Sequence, residues 1–322
     1  MQKDNPLMAV DYSFYDYVTA SQSRLAPHLI DGVPDYAYRE DFALRKHIKR
    51  LPGFYPLAKA LTNQYVPLIK QTLNLKCLKV GPSQFSDVYD KAVYCARILG
   101  IGIPTVFIDN DPSVINAFTV ATEDEAPMIC ISSGLLERFS EDELLTVIGH
   151  ECGHIHNEHS VFDLAAQLLI GAIGILPKMN QALTVLSTPL RLSFLSWSRA
   201  AEITCDRAGI ICSNNKTDSL YAEAKLLFGA SQDRNDINIE AIFQQYDSLR
   251  GTPVRLIEIE STHPIPARRI LAEREFLSSE ILYQWRPDWE PPETELLAKK
   301  ELDDNTAKFV SIAKNGKRKD SK

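Results

Sequence analysis

"VIGHECGHIHNEHS", residues 147–160, holds four of the chain's seven histidines within ten positions, His150 to His159. His150 and His154 stand four positions apart. On a helix that step turns the side chain by only ~40°, so both rings project from one face, one turn apart. Two imidazoles so placed form a two-nitrogen clamp for a metal ion. Glu151 lies ~100° round from His150, beside the clamp, where its carboxylate can reach a metal-bound water. The helix itself is announced upstream: Ser140 with Glu143 three residues later is the spacing of a capping box. The competing reading is a surface helix whose histidines merely pair with carboxylates. Cys152, ~200° from His150, points away from the clamp and toward a core. His156 and His159 also leave the clamp face, and His159 is expected to pack or hydrogen-bond locally.

A catalytic zinc takes three protein ligands and keeps a fourth position for water, so a third donor must come from elsewhere. A histidine six residues past the second, with a glycine between, is one arrangement. Here Asn157 and Ser160 occupy those places, and that route fails. The other arrangement uses a glutamate on a following helix. "SRAAEITCDRAG" (198–209) offers Glu202 and, four positions on, Asp206 on the same face. Glu202 would coordinate the metal, while Asp206 would accept the free N–H of a ligating histidine and fix its tautomer. Alone, such an E-x-x-x-D is ordinarily a solvated helix face. Its place after H-E-x-x-H gives it weight.

The chain resembles the M48 family of zinc metallopeptidases, which carry H-E-x-x-H followed by E-x-x-x-D. The likeness extends through "NAF" (116–118), "ISSGLLERFSEDELLTVIGHECGHI" (131–155), "SRAAEITCDRAG" and "THPIPARRI" (262–270), in the family's order. The resemblance implies one Zn2+ per chain, held by His150, His154 and Glu202, with Glu151 as general base and acid and Asp206 behind a ligand. It also brings His263 toward the cleft, where it would donate to the oxyanion of the tetrahedral intermediate. The alternative is that His263 merely starts a helix whose first turn contains Pro264. Asn116, Ala117 and Phe118 open a strand, "NAFTV", that could present an edge to which an extended peptide adds by backbone pairing. The chain departs from many relatives in its acidic "TVATEDEAP" where glycines are usual, and in Cys205 where alanine is usual.

The implied architecture is mainly α with a small β-sheet, an α+β zincin-like domain at 76–278. A helical segment precedes it (1–75), and a C-terminal extension with a solvated basic tail follows (279–322). Periodicity supports the helix-rich character. "REDFALRKHIKRLPGFYPLAKALTNQYVPLIKQTLN" predicts two helices divided around Pro52 and Gly53. Ser86 with Asp87 is expected to cap the helix that Gly100 ends. "TVFID", "NAFTV" and "MICIS" (105–109, 116–120, 128–132) read as a small antiparallel meander. After 161 the pattern is mostly helical, an apolar pair of segments to about 195 followed by separate helices.

Composition narrows the function classes. With 35 Lys+Arg against 42 Asp+Glu the formal charge is -7, so general attraction to nucleic acid or anionic lipid is not expected. Six scattered cysteines without CxxC pairing favour reduced thiols and a cytoplasmic setting. The apolar stretch "LAAQLLIGAIGIL" (164–176) falls short of the ~20 residues a bilayer crossing needs. A core helix is favoured over peripheral membrane contact there. The expected partner is a peptide or unfolded-protein substrate, and no nucleic acid. A di-iron carboxylate bundle, which needs two E-x-x-H pairs and two further glutamates together in one bundle, is the less favoured enzyme reading. A binding or chaperone-like protein with structural zinc is the remaining alternative, and the complete set of catalytic residues argues against it.

Overall fold

A computed structural model describes residues 25–122, 125–164, 166, 181–228, 236–249 and 264–310. A two-stranded ribbon, β1 (Leu29–Ile30) and β2 (Val33–Pro34), leads into α1 (Arg39–Lys49) and α2 (Phe54–Lys76). Next come β3 (Leu78–Lys79), α3 (Ser86–Leu99), β4 (Thr105–Asp109), β5 (Ala117–Val120) and β6 (Met128–Ser132). The remainder is helical: α4 (Ser133–Arg138), α5 (Glu141–His156), α6 (Gln181–Cys212), α7 (Asp218–Phe228), α8 (Ile239–Leu249), α9 (Pro266–Phe276), α10 (Glu280–Trp285) and α11 (Lys299–Val310). The fold is α+β, mainly helical with a small sheet, as the family resemblance implies.

The strands do not form a meander. Their order is β3-β4-β6-β5, with β6 parallel to β4 and antiparallel to β5. The chain passes from β4 to the far edge and returns between the two. β6 is buried at all five positions, whereas β5 is half exposed. A strand apolar on both faces belongs in the middle of a sheet, and an unbroken run such as "MICIS" carries that signal. β5 is therefore one edge of this sheet, with β3 at the other, and it runs alongside α5.

Local expectations fare unevenly. α1 and α2 divide at Pro52 and Gly53, and Gly53 takes φ 74, which suits glycine. The capping box forms in full: the Ser140 N–H donates to Glu143 Oε2 at 2.8 Å, and the Glu143 N–H donates to Ser140 Oγ. Gly100 ends α3 in the left-handed region at φ 71. The start of α3 differs, since its cap is Phe85 and no side chain bonds there; Ser86 is already inside the helix. Pro266, not Pro264, lies in the first turn of α9. The expected break near 195 is absent, because Gln181–Cys212 is one continuous helix. Nearly all of the apolar stretch 164–176, His263, and the tail after 310 lie outside the described residues. Among the described residues, no helix is long and apolar enough to cross a membrane.

The crossing of α5 and α6 sets the core. Ile148 and Cys152 on α5 are fully buried with Ala208, Ile211 and Cys212 on α6. Three glycines bring the backbones together. A Cβ on Gly149 would stand 2.6 Å from Cys212 Cβ, and one on Gly153 would stand 2.7 Å from Ala208 Cβ and 3.1 Å from Cys205 Cα. From the other side, a Cβ on Gly209 would meet the Thr146 carbonyl oxygen at 3.0 Å. None of these neighbours is the end of a flexible side chain, so the helices would have to separate.

The segment before α3 is part of the same body. α1 packs on α6, and Tyr38 is buried with Ala200 and Ile203. Arg207 of α6, 1% exposed, donates from Nη1 to the Tyr36 carbonyl and to Asp303 Oδ1, both at 2.9 Å, and from Nη2 to Thr306 Oγ1 at 3.0 Å. One guanidinium thus ties the N-terminal segment and α11 to α6.

An alanine in a helix ordinarily stabilises by about 0.5–1 kcal/mol relative to glycine. Gly153→Ala should do the opposite, lowering the unfolding free energy in urea by about 1–3 kcal/mol through overpacking. Gly102→Ala, with nothing within 4 Å of the methyl group it would add, should leave stability nearly unchanged.

Candidate metal centre and cleft

Two helices and one edge strand build the site. His150 Nε2 lies 3.3 Å from His154 Nε2 and 3.7 Å from Glu202 Oε2, and His154 Nε2 lies 3.6 Å from Glu202 Oε1. Nitrogen and oxygen ligands ~2.0–2.2 Å from a tetrahedral zinc are separated by roughly 3.3–3.6 Å. The triangle has the dimensions that such an ion requires. Its electrostatics ask for a cation as well, since two ring-nitrogen lone pairs and a carboxylate directed at one point repel one another without a positive charge between them.

The outer nitrogen of His150 shows how the ring is held. Its Nδ1–H donates to Asp206 Oδ1 at 3.0 Å, which leaves Nε2 with the lone pair. Asp206 is in turn gripped by Arg269, whose Nε donates to Oδ2 at 2.9 Å and whose Nη2 donates to Oδ1. The same guanidinium reaches Glu223 Oε1 at 2.8 Å and Glu202 Oε2 at 3.5 Å. Burial disfavours each of these charges. The carboxylates outweigh it for Arg269, Asp206 foremost, and raise the guanidinium well above its ordinary value. Arg269 likewise outweighs burial for Asp206 and holds that carboxyl below its ordinary value. Glu273, packed nearby, is pushed well up by burial and by the Asp206 and Glu223 charges.

Cys205 is the other donor near the two histidines. Its Sγ lies within 4.8 Å of a ring nitrogen of both His150 and His154, and 3.5 Å from His159 Nδ1. Burial also pushes the Cys205 thiol far up, away from the thiolate that binds metals. By that measure Glu202 is the better candidate for the third donor. Cys152 is fully buried in the core, as its azimuth on the helix indicates.

Glu151 is 6% exposed and lines the same cleft as the three donors. The Thr119 hydroxyl on β5 donates to Glu151 Oε2 at 2.6 Å. The cleft encloses about 720 Å³ and is also lined by Asn116, Ala117 and Phe118. Asn116 precedes β5 itself, its N–H donating to Ser132 Oγ and its carbonyl accepting from the Ser132 N–H at 2.9 Å. Phe118 is 41% exposed.

His159 does not bond only to near neighbours. Its Nε2–H donates to Asp41 Oδ2 at 3.0 Å, across 118 positions of sequence. His156 accepts at Nδ1 from the Tyr36 hydroxyl at 2.8 Å. Arg269, Thr119 and Asp41 therefore join the site although their spacing does not announce them. For Thr119 a signal existed: strand alternation puts it on the face opposite Phe118, with Ala117. Arg269 follows another arginine, and Asp41 lies in the first turn of α1, where an acid ordinarily answers only to the helix dipole.

Similarity to known proteins identifies the family. Peptidase family M48 matches residues 82–276. The chain is 28% identical over 231 residues to the plastoglobule-localized metallopeptidase 48, chloroplastic, of Arabidopsis thaliana, covering 69% of this chain and 66% of that protein. It is 27% identical over 228 residues to a protease HtpX homolog of Thermoplasma volcanium, covering 60% and 71%. A protease HtpX of Xylella fastidiosa is 38% identical over 101 residues, 31% of each chain. With three metal-type donors beside a buried glutamate on a matching helix, and the family match running through all of them, the chain belongs to the M48 metallopeptidases.

Proposed function

We propose that the protein is a zinc-dependent endopeptidase in which His150, His154 and Glu202 hold the ion and Glu151 is the general base and acid. The observation that carries this reading is the triangle of two Nε2 atoms and one carboxylate with edges of 3.3–3.7 Å, beside Glu151 in one cleft. Bound zinc supplies Lewis acidity toward a water and toward the scissile carbonyl. Glu151 takes the proton of the attacking water and returns it to the leaving amine. Thr119 keeps the Glu151 carboxylate facing the cleft, and Asp206 keeps the His150 lone pair on Nε2.

The substrate in this reading is an extended peptide or unfolded protein that pairs with β5 through its backbone. Asn116, Ala117 and Phe118 form that side of the cleft, and Phe118 offers an apolar contact. His263 is assigned to the oxyanion by resemblance alone.

Glu151→Gln should keep one zinc per chain by elemental analysis and lose turnover of casein by about 10²-fold or more, the scale of a lost general base. Cleavage at the parental rate would overturn the base assignment. Chelation should abolish cleavage and added zinc should restore it, while an enzyme indifferent to chelator would end the metal reading. Arg269→Gln should destabilise the fold by about 3–5 kcal/mol at neutral pH, because it leaves buried carboxylates uncompensated. Asp206 titrates below its ordinary value, so the ion pair stabilises fully above about pH 4 and is lost as pH falls through the depressed value. The difference between Arg269→Gln and the parent in urea unfolding should accordingly shrink toward low pH.

A further inference from the structure

His150 has a carboxylate behind it, but His154 has a second histidine. His154 Nδ1 lies 3.3 Å from His159 Nδ1, and His159 Nε2 lies 3.0 Å from Asp41 Oδ2. Asp41 is 1% exposed, and its other bonds also come from donors: the Trp197 indole N–H to Oδ1 at 2.9 Å, and the Thr204 hydroxyl to Oδ2 at 2.7 Å. The Tyr38 N–H donates to Thr204 Oγ1 at 3.0 Å, so the Thr204 hydroxyl proton is directed at Asp41.

These contacts dictate where the protons lie. An ionised Asp41 only accepts, so His159 carries its proton on Nε2 and presents a lone pair at Nδ1. That lone pair can face His154 Nδ1 only if His154 is protonated there. His154 Nε2 is then left bare on the side of His150 and Glu202. Asp163 Oδ2, at 3.6 Å from His154 Nδ1, lies beyond hydrogen-bond reach, and the Cys205 thiol shares the His159 acceptor at 3.5 Å.

We infer that Asp41, acting through His159, is a positioning residue for the metal ligand His154. It sets the ring's tautomer and orientation from a helix that lies outside the family match at 82–276. The segment before the peptidase region is then a working part of the metal centre. The inference rests on the reading of His154 as a ligand.

The test measures zinc affinity of the full chain by competition with a chromophoric chelator, alongside thermal melting of each variant. Removal of an outer partner of a metal-bound histidine typically costs about 10–100-fold in affinity. Asp41→Asn and His159→Leu should each weaken zinc binding by that amount. His159→Asn places an amide oxygen where Nδ1 accepted, and it should recover affinity to within a few-fold of the parent, although it leaves a similar cavity. Trp197→Phe removes a bond to the other Asp41 oxygen and should lower the melting temperature without the loss in affinity. If folded Asp41→Asn binds zinc as the parent does, or if His159→Asn and His159→Leu lose affinity equally, the inference is overturned. If His154→Ala leaves zinc affinity unchanged, the ligand assignment falls and the inference with it. Zinc lost on His154→Ala but kept on both Asp41→Asn and His159→Leu overturns the relay alone.

Discussion

His150, His154 and Glu202 come together because α5 and α6 touch backbone to backbone. Gly149, Gly153 and Gly209 leave no side chain between the two helices, and Cys212, Ala208 and Thr146 fill the space at contact distance. Only at that separation can a glutamate on one helix reach the imidazoles of the other, with Nε2 to carboxylate distances of 3.6–3.7 Å. The same residues serve stability and chemistry. Ile148 and Cys152 face the core from the helix that turns His150, Glu151 and His154 to the cleft.

Charge at the site is managed by layers. The donors face inward, and behind each histidine stands a group that holds its proton on the far nitrogen: Asp206 for His150, and His159 for His154. Behind those stand Arg269 and Asp41. Buried ions are costly unless paired, and each here has a partner of opposite sign or a set of donors. Arg269 touches three carboxylates at once, so the metal-side acids and the core acids form one network rather than separate pairs.

The peptidase region does not stand alone in this molecule. α1 lies on α6, Arg207 joins Tyr36 to Asp303, and Trp285 of α10 donates to Asp35 Oδ1. Among the described residues, segments before and after the family match thus pack together on α6.

Features that were legible in the chain alone are local and periodic. The four-residue step puts His150 and His154 on one face, the capping box opens their helix, and Glu202 with Asp206 repeats the step on a second helix. Such features depend on helix geometry, which any helix supplies. The parallel pairing of β4 and β6, the continuity of α6, and the recruitment of Arg269, Thr119 and Asp41 came from packing in three dimensions. Sheet order depends on which strand the chain leaves room for, and a buried carboxylate's partner depends on what packs over it. Asp41 and His159 lie 118 positions apart, and no periodicity links residues at that distance. Only the seating of α1 on α6 brings them within a hydrogen bond.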